Sequence, residues 1–294
     1  VRTLLLTSAV AAILTGASLA FAAQITGTDN PDNLSGTIED DQLSGLGGDD
    51  VLRGLDGDDG LDGGAGDDQL LGDESDDVLV GEVIQCSSRT ACTPASYGVD
   101  DLDGGSGEDE LYTSFFATIR GTNVAGEDTG TLIGGSGDDD IFGGTGADTI
   151  SGGSGDEEVI ARGGADRISG GEGDDEINGG AGPDKILGHD GNEEVNGSGG
   201  NDTISVAQEE DVVNGGGGRD KISGGTAEDE ISGGGGRDKI NGGPDPDVLR
   251  GDAGKDTINA RDGDRDTVDC GGGRDVARVD QQDVVTNCET VNRN

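Results

Sequence analysis

Gly143-Gly144-Thr145-Gly146-Ala147-Asp148-Thr149-Ile150-Ser151 is a nine-residue unit with glycine at positions one, two and four, aspartate at six and an aliphatic side chain at eight. The unit repeats fourteen times from Gly134 to Asn259 without insertion or deletion. Position eight reads Ile141, Ile150, Val159, Ile168, Ile177, Ile186, Val195, Ile204, Val213, Ile222, Ile231, Ile240, Leu249 and Ile258. Position six includes Asp139, Asp148, Asp166, Asp175, Asp184, Asp202, Asp211, Asp220, Asp229, Asp238, Asp247 and Asp256, with glutamate at Glu157 and Glu193. Six earlier units span Gly27 to Val80, with Asp32, Asp41, Asp50, Asp59, Asp68 and Asp77 at position six. Two more, Ala95 to Asp103 and Gly104 to Tyr112, keep the pattern, the second with Asp109 at position six. A short fixed period of this kind marks a solenoid, in which each unit buries its apolar face only against its neighbours.

The repeat resembles the RTX, or hemolysin-type, calcium-binding nonapeptide. The resemblance implies an all-β fold, a parallel β-roll in which positions one to six turn, positions seven to nine form a short strand, and two nonapeptides make one coil. It also implies calcium ions held between turns one coil apart. The metal ligands implied are Asp50, Asp59, Asp68, Asp77, Asp109, Asp139, Asp148, Asp166, Asp175, Asp184, Asp202, Asp220, Asp229, Asp238 and Asp256. Asp148, Asp166, Asp184, Asp202, Asp220, Asp238 and Asp256 would line one edge, and Asp139, Asp175, Asp211, Asp229 and Asp247 the other.

The residues support a two-strand coil independently. At position seven Asp140, Glu158, Glu176, Glu194, Val212, Glu230 and Val248 alternate with Thr149, Arg167, Lys185, Thr203, Lys221, Lys239 and Thr257. One set is acidic apart from its two valines and the other basic or neutral, as two opposite outer faces would be if position eight points inward. The structural repeat is therefore eighteen residues. Glycines allow positive φ and close backbone approach, so turn carbonyls can converge while the aspartate adds an anionic oxygen. Calcium accepts such oxygen sets, whereas zinc favours histidine and cysteine.

Composition agrees. The 294 residues hold 61 glycines, four phenylalanines, two tyrosines and no tryptophan, with 63 acidic against 18 basic side chains and a net charge of −45. Such charge disfavours nucleic acid and anionic membrane surfaces and attracts cations. Few apolar groups and strong carboxylate repulsion predict a metal-free chain that is largely disordered and folds on binding calcium.

Residues 1–22 read as a secretory signal peptide, an apolar run ending in Ala20-Phe21-Ala22, which places the mature chain outside the cell. The expected organisation continues with a first repeat block over 27–80, an interrupted segment over 81–133, the main block over 134–259 and a cap over 260–294. Four cysteines permit three pairings, of which the local ones, Cys86 with Cys92 and Cys270 with Cys288, are preferred on spacing. The aromatics Tyr97, Tyr112, Phe115 and Phe116 fit a plug between rolls, or a contact with a partner or cell-surface polysaccharide.

Several turns depart from the pattern, and these are the coils where gaps in calcium binding are expected. Val206-Ala207-Gln208-Glu209-Glu210 lacks glycine before Asp211, Gly242-Gly243-Pro244-Asp245-Pro246 carries two prolines, and the turns before Asp32 and Asp41 read as weak starting turns. Asp262-x-Asp264-x-Asp266 hints at an EF-hand loop without completing one. His189 is the only histidine, there is no HExxH or nucleophile elbow, and the chain is not expected to be an enzyme. The alternative to a free calcium-binding protein is a structural or adhesive scaffold that self-associates laterally through its acidic and basic faces.

Overall fold

The computed structural model describes residues 23–84, 99–107, 109–116 and 129–294. These residues form strands and turns with no helix, and every strand pairing is parallel. The chain divides into two compact units, Val1–Thr149 and Ile150–Asn294; in each the longer strands alternate between two sheets, and the second unit adds a third sheet of five two-residue strands, from Gly199–Gly200 to Gly272–Gly273. The fold is the all-β parallel solenoid expected of the repeat.

In the first unit, one sheet runs Gln24–Thr26, Gln42–Gly47, Gly60–Ala65, Val78–Ile84, Glu110–Phe116 and Asp140–Phe142. The other runs Asn33–Ser35, Val51–Asp56, Gln69–Glu74, Val99–Ser106 and Thr129–Ser136. Partners lie eighteen residues apart, as Leu43 with Leu61 and Leu52 with Leu70. Where the chain carries extra residues the same ladder joins Leu70 to Leu102 and Leu102 to Leu132. The insertions therefore leave the stack in register. Strand pairing also reaches into the stretches read as interruptions, with Val83 against Phe115 and Ile84 against Phe116. Cys86, Cys92 and Tyr97 lie outside the described residues.

In the second unit one sheet carries Glu158–Ile160, Glu176–Asn178, Glu194–Asn196, Val212–Asn214, Glu230–Ser232, Val248–Arg250, Thr267–Asp269 and Val284–Thr286. The other begins at Arg167–Glu172 and ends at Thr290–Arg293. The segment read as a cap is thus itself coiled, through Val268 against Val285 and Ala277 against Val291. The register slip at 260 appears as Leu249 facing Val268, nineteen residues on. Cys270 and Cys288 are adjacent, with Cα atoms 5.1 Å apart.

Most three-residue strands bury the middle side chain and turn the flanking two outward, the period-two geometry of a pleated strand, as in Glu176–Asn178 and Lys221–Ser223. The core is accordingly a stack of position-eight residues, among them Leu61, Leu79, Ile177, Ile222 and Leu249, all essentially inaccessible. Tyr112 and Phe142, at position nine, are also buried and stack at 4.9 Å between ring centroids.

The three glycines of the unit are required for different reasons. Position two and position four are left-handed, as in Gly216 (φ 90°) and Gly218 (φ 149°). Non-glycine residues are held there too, Ser198 (φ 68°) at position two and Ala227 (φ 93°) at position four. Position one has no positive φ; its requirement is space. A Cβ on Gly215 would lie 2.8 Å from the Gly233 carbonyl oxygen, 2.9 Å from Asp220 Oδ2 and 3.0 Å from Ile222 Cδ1. Gly235, at position three, has nothing within 4 Å of such an atom. Gly215→Ala should therefore destabilise the second unit by about 2 kcal/mol, the usual scale of overpacking, while Gly235→Ala stays within about 0.5 kcal/mol. Paired denaturation curves at one fixed calcium concentration test this, and equal effects would refute the division of roles.

Candidate metal centre

The position-six carboxylates lie inside the turns. Asp50, Asp59, Asp68, Asp77, Asp109, Asp139, Asp148, Asp166, Asp175, Asp184, Asp202, Asp220, Asp229, Asp238 and Asp256 are each at most 3% exposed. Asp211 and Asp247 are equally buried. They form two rows per unit, one at each edge, because consecutive units feed opposite sheets.

One oxygen of the carboxylate is committed to the stack. The backbone N–H of a position-six residue donates to Oδ1 of the position-six aspartate one coil later. Examples are Asp32 to Asp50 (2.8 Å), Asp59 to Asp77 (2.8 Å), Asp184 to Asp202 (2.8 Å), Asp202 to Asp220 (2.8 Å) and Asp229 to Asp247 (3.0 Å). The bond persists where coils are longer, from Asp77 to Asp109 (2.7 Å) and Asp109 to Asp139 (2.8 Å). It stitches each coil to the next beside the strand ladders.

The second oxygen is left over. Oδ2 is buried and has no hydrogen-bond donor in Asp50, Asp59, Asp77, Asp109, Asp175, Asp184, Asp202, Asp211, Asp220, Asp229, Asp238, Asp247 and Asp256. It points at the position-one glycine of its own turn, where the next coil's position-one carbonyl also arrives. A Cβ on Gly197 would meet the Gly215 carbonyl oxygen at 2.7 Å and Asp202 Oδ2 at 2.8 Å. Two electron-rich oxygens converging in a buried cradle repel each other unless a cation lies between them. The donor set consists of hard oxygens with no nitrogen or sulfur, which suits calcium.

Three aspartates differ. The N–H of Thr28 donates to Asp32 Oδ2 (2.6 Å), that of Thr37 to Asp41 Oδ2 (2.5 Å), and that of Gly144 to Asp148 Oδ2 (2.9 Å). Their second oxygens are satisfied locally. The turns before Asp211 and Asp247, irregular in sequence, leave an unpartnered Oδ2 like the regular ones. The carboxylate rows also run on where the repeat is no longer regular. Asp266, Asp275 and Asp283 are buried, and Asp266 and Asp275 accept from Asp247 N–H (2.9 Å) and Asp256 N–H (2.8 Å). Asp266-Thr267-Val268 and Asp275-Val276-Ala277 keep the aspartate and the buried residue two positions on, the signal by which they are recognisable. His189 is exposed at a position-two turn with φ 86°.

A pattern for the RTX calcium-binding nonapeptide repeat matches residues 26–61, 54–83, 95–114, 125–156, 133–168, 151–186, 169–204, 207–240, 232–265 and 241–277. The chain belongs to the RTX calcium-binding repeat family. Among solved structures, this RTX chain is similar to a hyperactive, Ca2+-dependent, beta-helical antifreeze protein from an Antarctic bacterium. Identity is 16%, the match covers 87% of this chain and 80% of that one, and the TM-score is 0.31. No curated protein matches it significantly.

Burial has a measurable electrostatic consequence in the RTX turns. Loss of solvation, partly offset by the backbone donor to Oδ1 and reinforced by neighbouring carboxylates, raises these carboxyls. Asp68, Asp184, Asp202, Asp220, Asp238 and Asp256 rise to about 6, Asp59, Asp109, Asp229 and Asp247 to about 7, and Asp77 to about 9. Asp50, Asp175 and Asp211 rise as well. In the unfolded chain aspartates titrate near about 3.9. The folded metal-free state thus binds more protons from about pH 4 upward, and the stability this confers is lost as pH rises through 6 to 7. Calcium-depleted protein should therefore gain β circular-dichroism signal on going from pH 8 to pH 5.5. A flat or opposite dependence would contradict the buried placement of these carboxylates.

Proposed function

We propose that the protein is a secreted calcium-binding β-roll that folds on binding, its calcium held by the position-six aspartates and the turn carbonyls beside them. The observation that carries this reading is the row of buried, donorless Oδ2 atoms aimed at a neighbouring carbonyl. The ligands in this reading are Asp50, Asp59, Asp68, Asp77, Asp109, Asp139, Asp166, Asp175, Asp184, Asp202, Asp220, Asp229, Asp238 and Asp256. Asp148, whose second oxygen already has a donor, would have to exchange that bond for the ion. Because the cradle exists only between stacked coils, the ion binds the rolled state and not the unfolded chain, and so adds its binding free energy to folding.

Export through a signal peptide over 1–22 fits this chemistry, since extracellular modules work at about 10⁻⁴–10⁻³ M calcium. A Cys270–Cys288 disulfide, which the adjacency of the two residues permits, suits the same compartment. Repeat blocks over 27–80 and 134–259, an intervening segment over 81–133 and a closing segment over 260–294 are the organisation we assign. The reading gives the chain no catalytic role.

A second reading, a laterally assembling scaffold, is favoured by one observation. Like charges stack in register on the outer faces: Glu158, Glu176 and Glu194 on one sheet, and Arg167 with Lys185 and Lys221 with Lys239 on the other. Direct stacking of like charges is unfavourable in isolation and is relieved by an opposite face on another copy or on a polyanion such as a polysaccharide. Association that weakens with salt, read by light scattering, would support assembly, and a monomer at low salt and high concentration would dismiss it.

Calcium added to depleted protein should produce a cooperative coil-to-β transition in far-ultraviolet circular dichroism, with little response to magnesium. Asp220→Asn should shift its midpoint to higher calcium and lower the number of ions bound, whereas Glu194→Gln on the outer face should do neither. A full β signal without calcium, or an unchanged Asp220→Asn protein, would defeat the proposal.

A further inference from the structure

The strongest place outside the regular turns is where the period breaks. The turn Ala260-Arg261-Asp262-Gly263-Asp264-Arg265-Asp266 has one residue more than a nonapeptide turn. It follows, on the same edge, the turn interrupted by Pro244 and Pro246. One carboxylate oxygen each from Asp247, Asp262 and Asp266 lies within 4.8 Å of the other two. Among the described residues no other group of three such side chains converges in this way.

Two further observations distinguish this trio from a chance acidic cluster. Asp247 and Asp266 are 2% and 0% exposed, and each keeps an Oδ2 without a donor. Asp262 is exposed but fixed: its N–H and that of Gly263 donate to Asp280 Oδ2 (3.0 and 2.9 Å), and its own Oδ1 accepts from Asp264 N–H (2.8 Å). Gln282 binds the same turn through the Asp264 carbonyl (2.9 Å). The next coil thus holds the extra residue in the shape that brings Asp262 over the buried pair. Ligands of one calcium at about 2.3–2.6 Å are at most about 5 Å apart, which the observed spacing satisfies.

We propose that Asp247, Asp262 and Asp266 form a calcium site of a second kind, with a third carboxylate supplied by the longer turn. The proposal deepens the calcium reading above and rests on it. Elsewhere a turn offers carboxylates from the stacked coils with carbonyls between them; here Asp262 adds a full negative charge at the turn whose prolines break the repeat. Affinity for calcium rises with the number of anionic ligands, so this site fills at lower calcium than the regular turns.

Hydrogen exchange of the full chain, read by mass spectrometry across a calcium titration, separates the alternatives. In the parent protein, peptides within 243–270 should become protected at lower calcium than peptides within 150–230. Asp262→Asn should move the midpoint of 243–270 up by about tenfold, the scale expected for loss of one charged ligand, and leave 150–230 unchanged. Asp264→Asn, which removes the same charge two residues on, should shift it less than about twofold. An unshifted Asp262→Asn protein, or equal shifts in the two variants, would overturn the site while leaving the regular turns intact. A trio that merely repels would reveal itself as greater protection of Asp262→Asn in depleted buffer with no loss of calcium response, and would also overturn it. Absence of calcium-dependent protection in every segment would end both this proposal and the calcium reading.

Discussion

The bond on which the stack depends runs from the N–H of one position-six residue to the carboxylate of the next, a coil away. A turn of six residues leaves that N–H beyond the reach of the strand ladders, and an unpaired buried N–H is costly. Aspartate answers it with Oδ1, which explains why the residue is inside rather than on the surface where charge would ordinarily sit. The solution creates its own difficulty, because a carboxylate has two oxygens and the coil supplies one donor. Burying the remainder row after row raises the carboxyls and sets neighbouring coils in repulsion. A positive charge in the turn, a proton or a metal ion, relieves that repulsion, so a single structural choice links stacking, acid response and affinity for cations.

Much of this was legible in the sequence because the solenoid is nearly one-dimensional. The position-eight residues belong to the core by their phase alone, and the alternation at position seven distinguishes the two outer faces. The glycines were legible as necessary but not as necessary for distinct reasons. Positive φ at Gly216 and excluded volume at Gly215 leave the same letter in the sequence, and only the positions of the Asp220 carboxylate and the Gly233 carbonyl separate them. The continuation of the coil past 260 was hidden for a related reason. One added residue shifts the phase, and Ala277 in place of a larger aliphatic weakens the pattern, although the ladder absorbs both. Asp262 was visible as part of an acidic turn, but its approach to Asp247 joins residues fifteen apart across the break, a distance no nine-residue period encodes.

The outer faces obey a looser constraint than the core. Positions seven and nine are free to vary, yet in the second unit position seven of each sheet keeps one sign over several coils. The Arg250–Glu230 pair (2.5 Å) and the Arg53–Asp73 pair (3.2 Å) lie at the surface, where such contacts add little. Stacked like charges about 4.8 Å apart make each face a regular comb, and that regularity is what a partner of matching period would read. The same stacking prevents one strand edge from slipping against its neighbour, since a slip would carry position seven into the core.

Glutamate at position six shows what happens when the turn is balanced differently. The longer side chains of Glu157 and Glu193 are as deeply buried as the aspartates they replace. Burial, with the Asp211 carboxylate beside it, pushes the Glu193 carboxyl up to about 9, so that it keeps its proton at neutral pH. The N–H of Glu193 still donates to Asp211 Oδ1 at 2.9 Å, so the stitch between coils is preserved. A proton held on the glutamate removes one of the buried negative charges that a cation would otherwise offset. The substitution at Glu193 thus lowers the buried negative charge of its turn without breaking the stack.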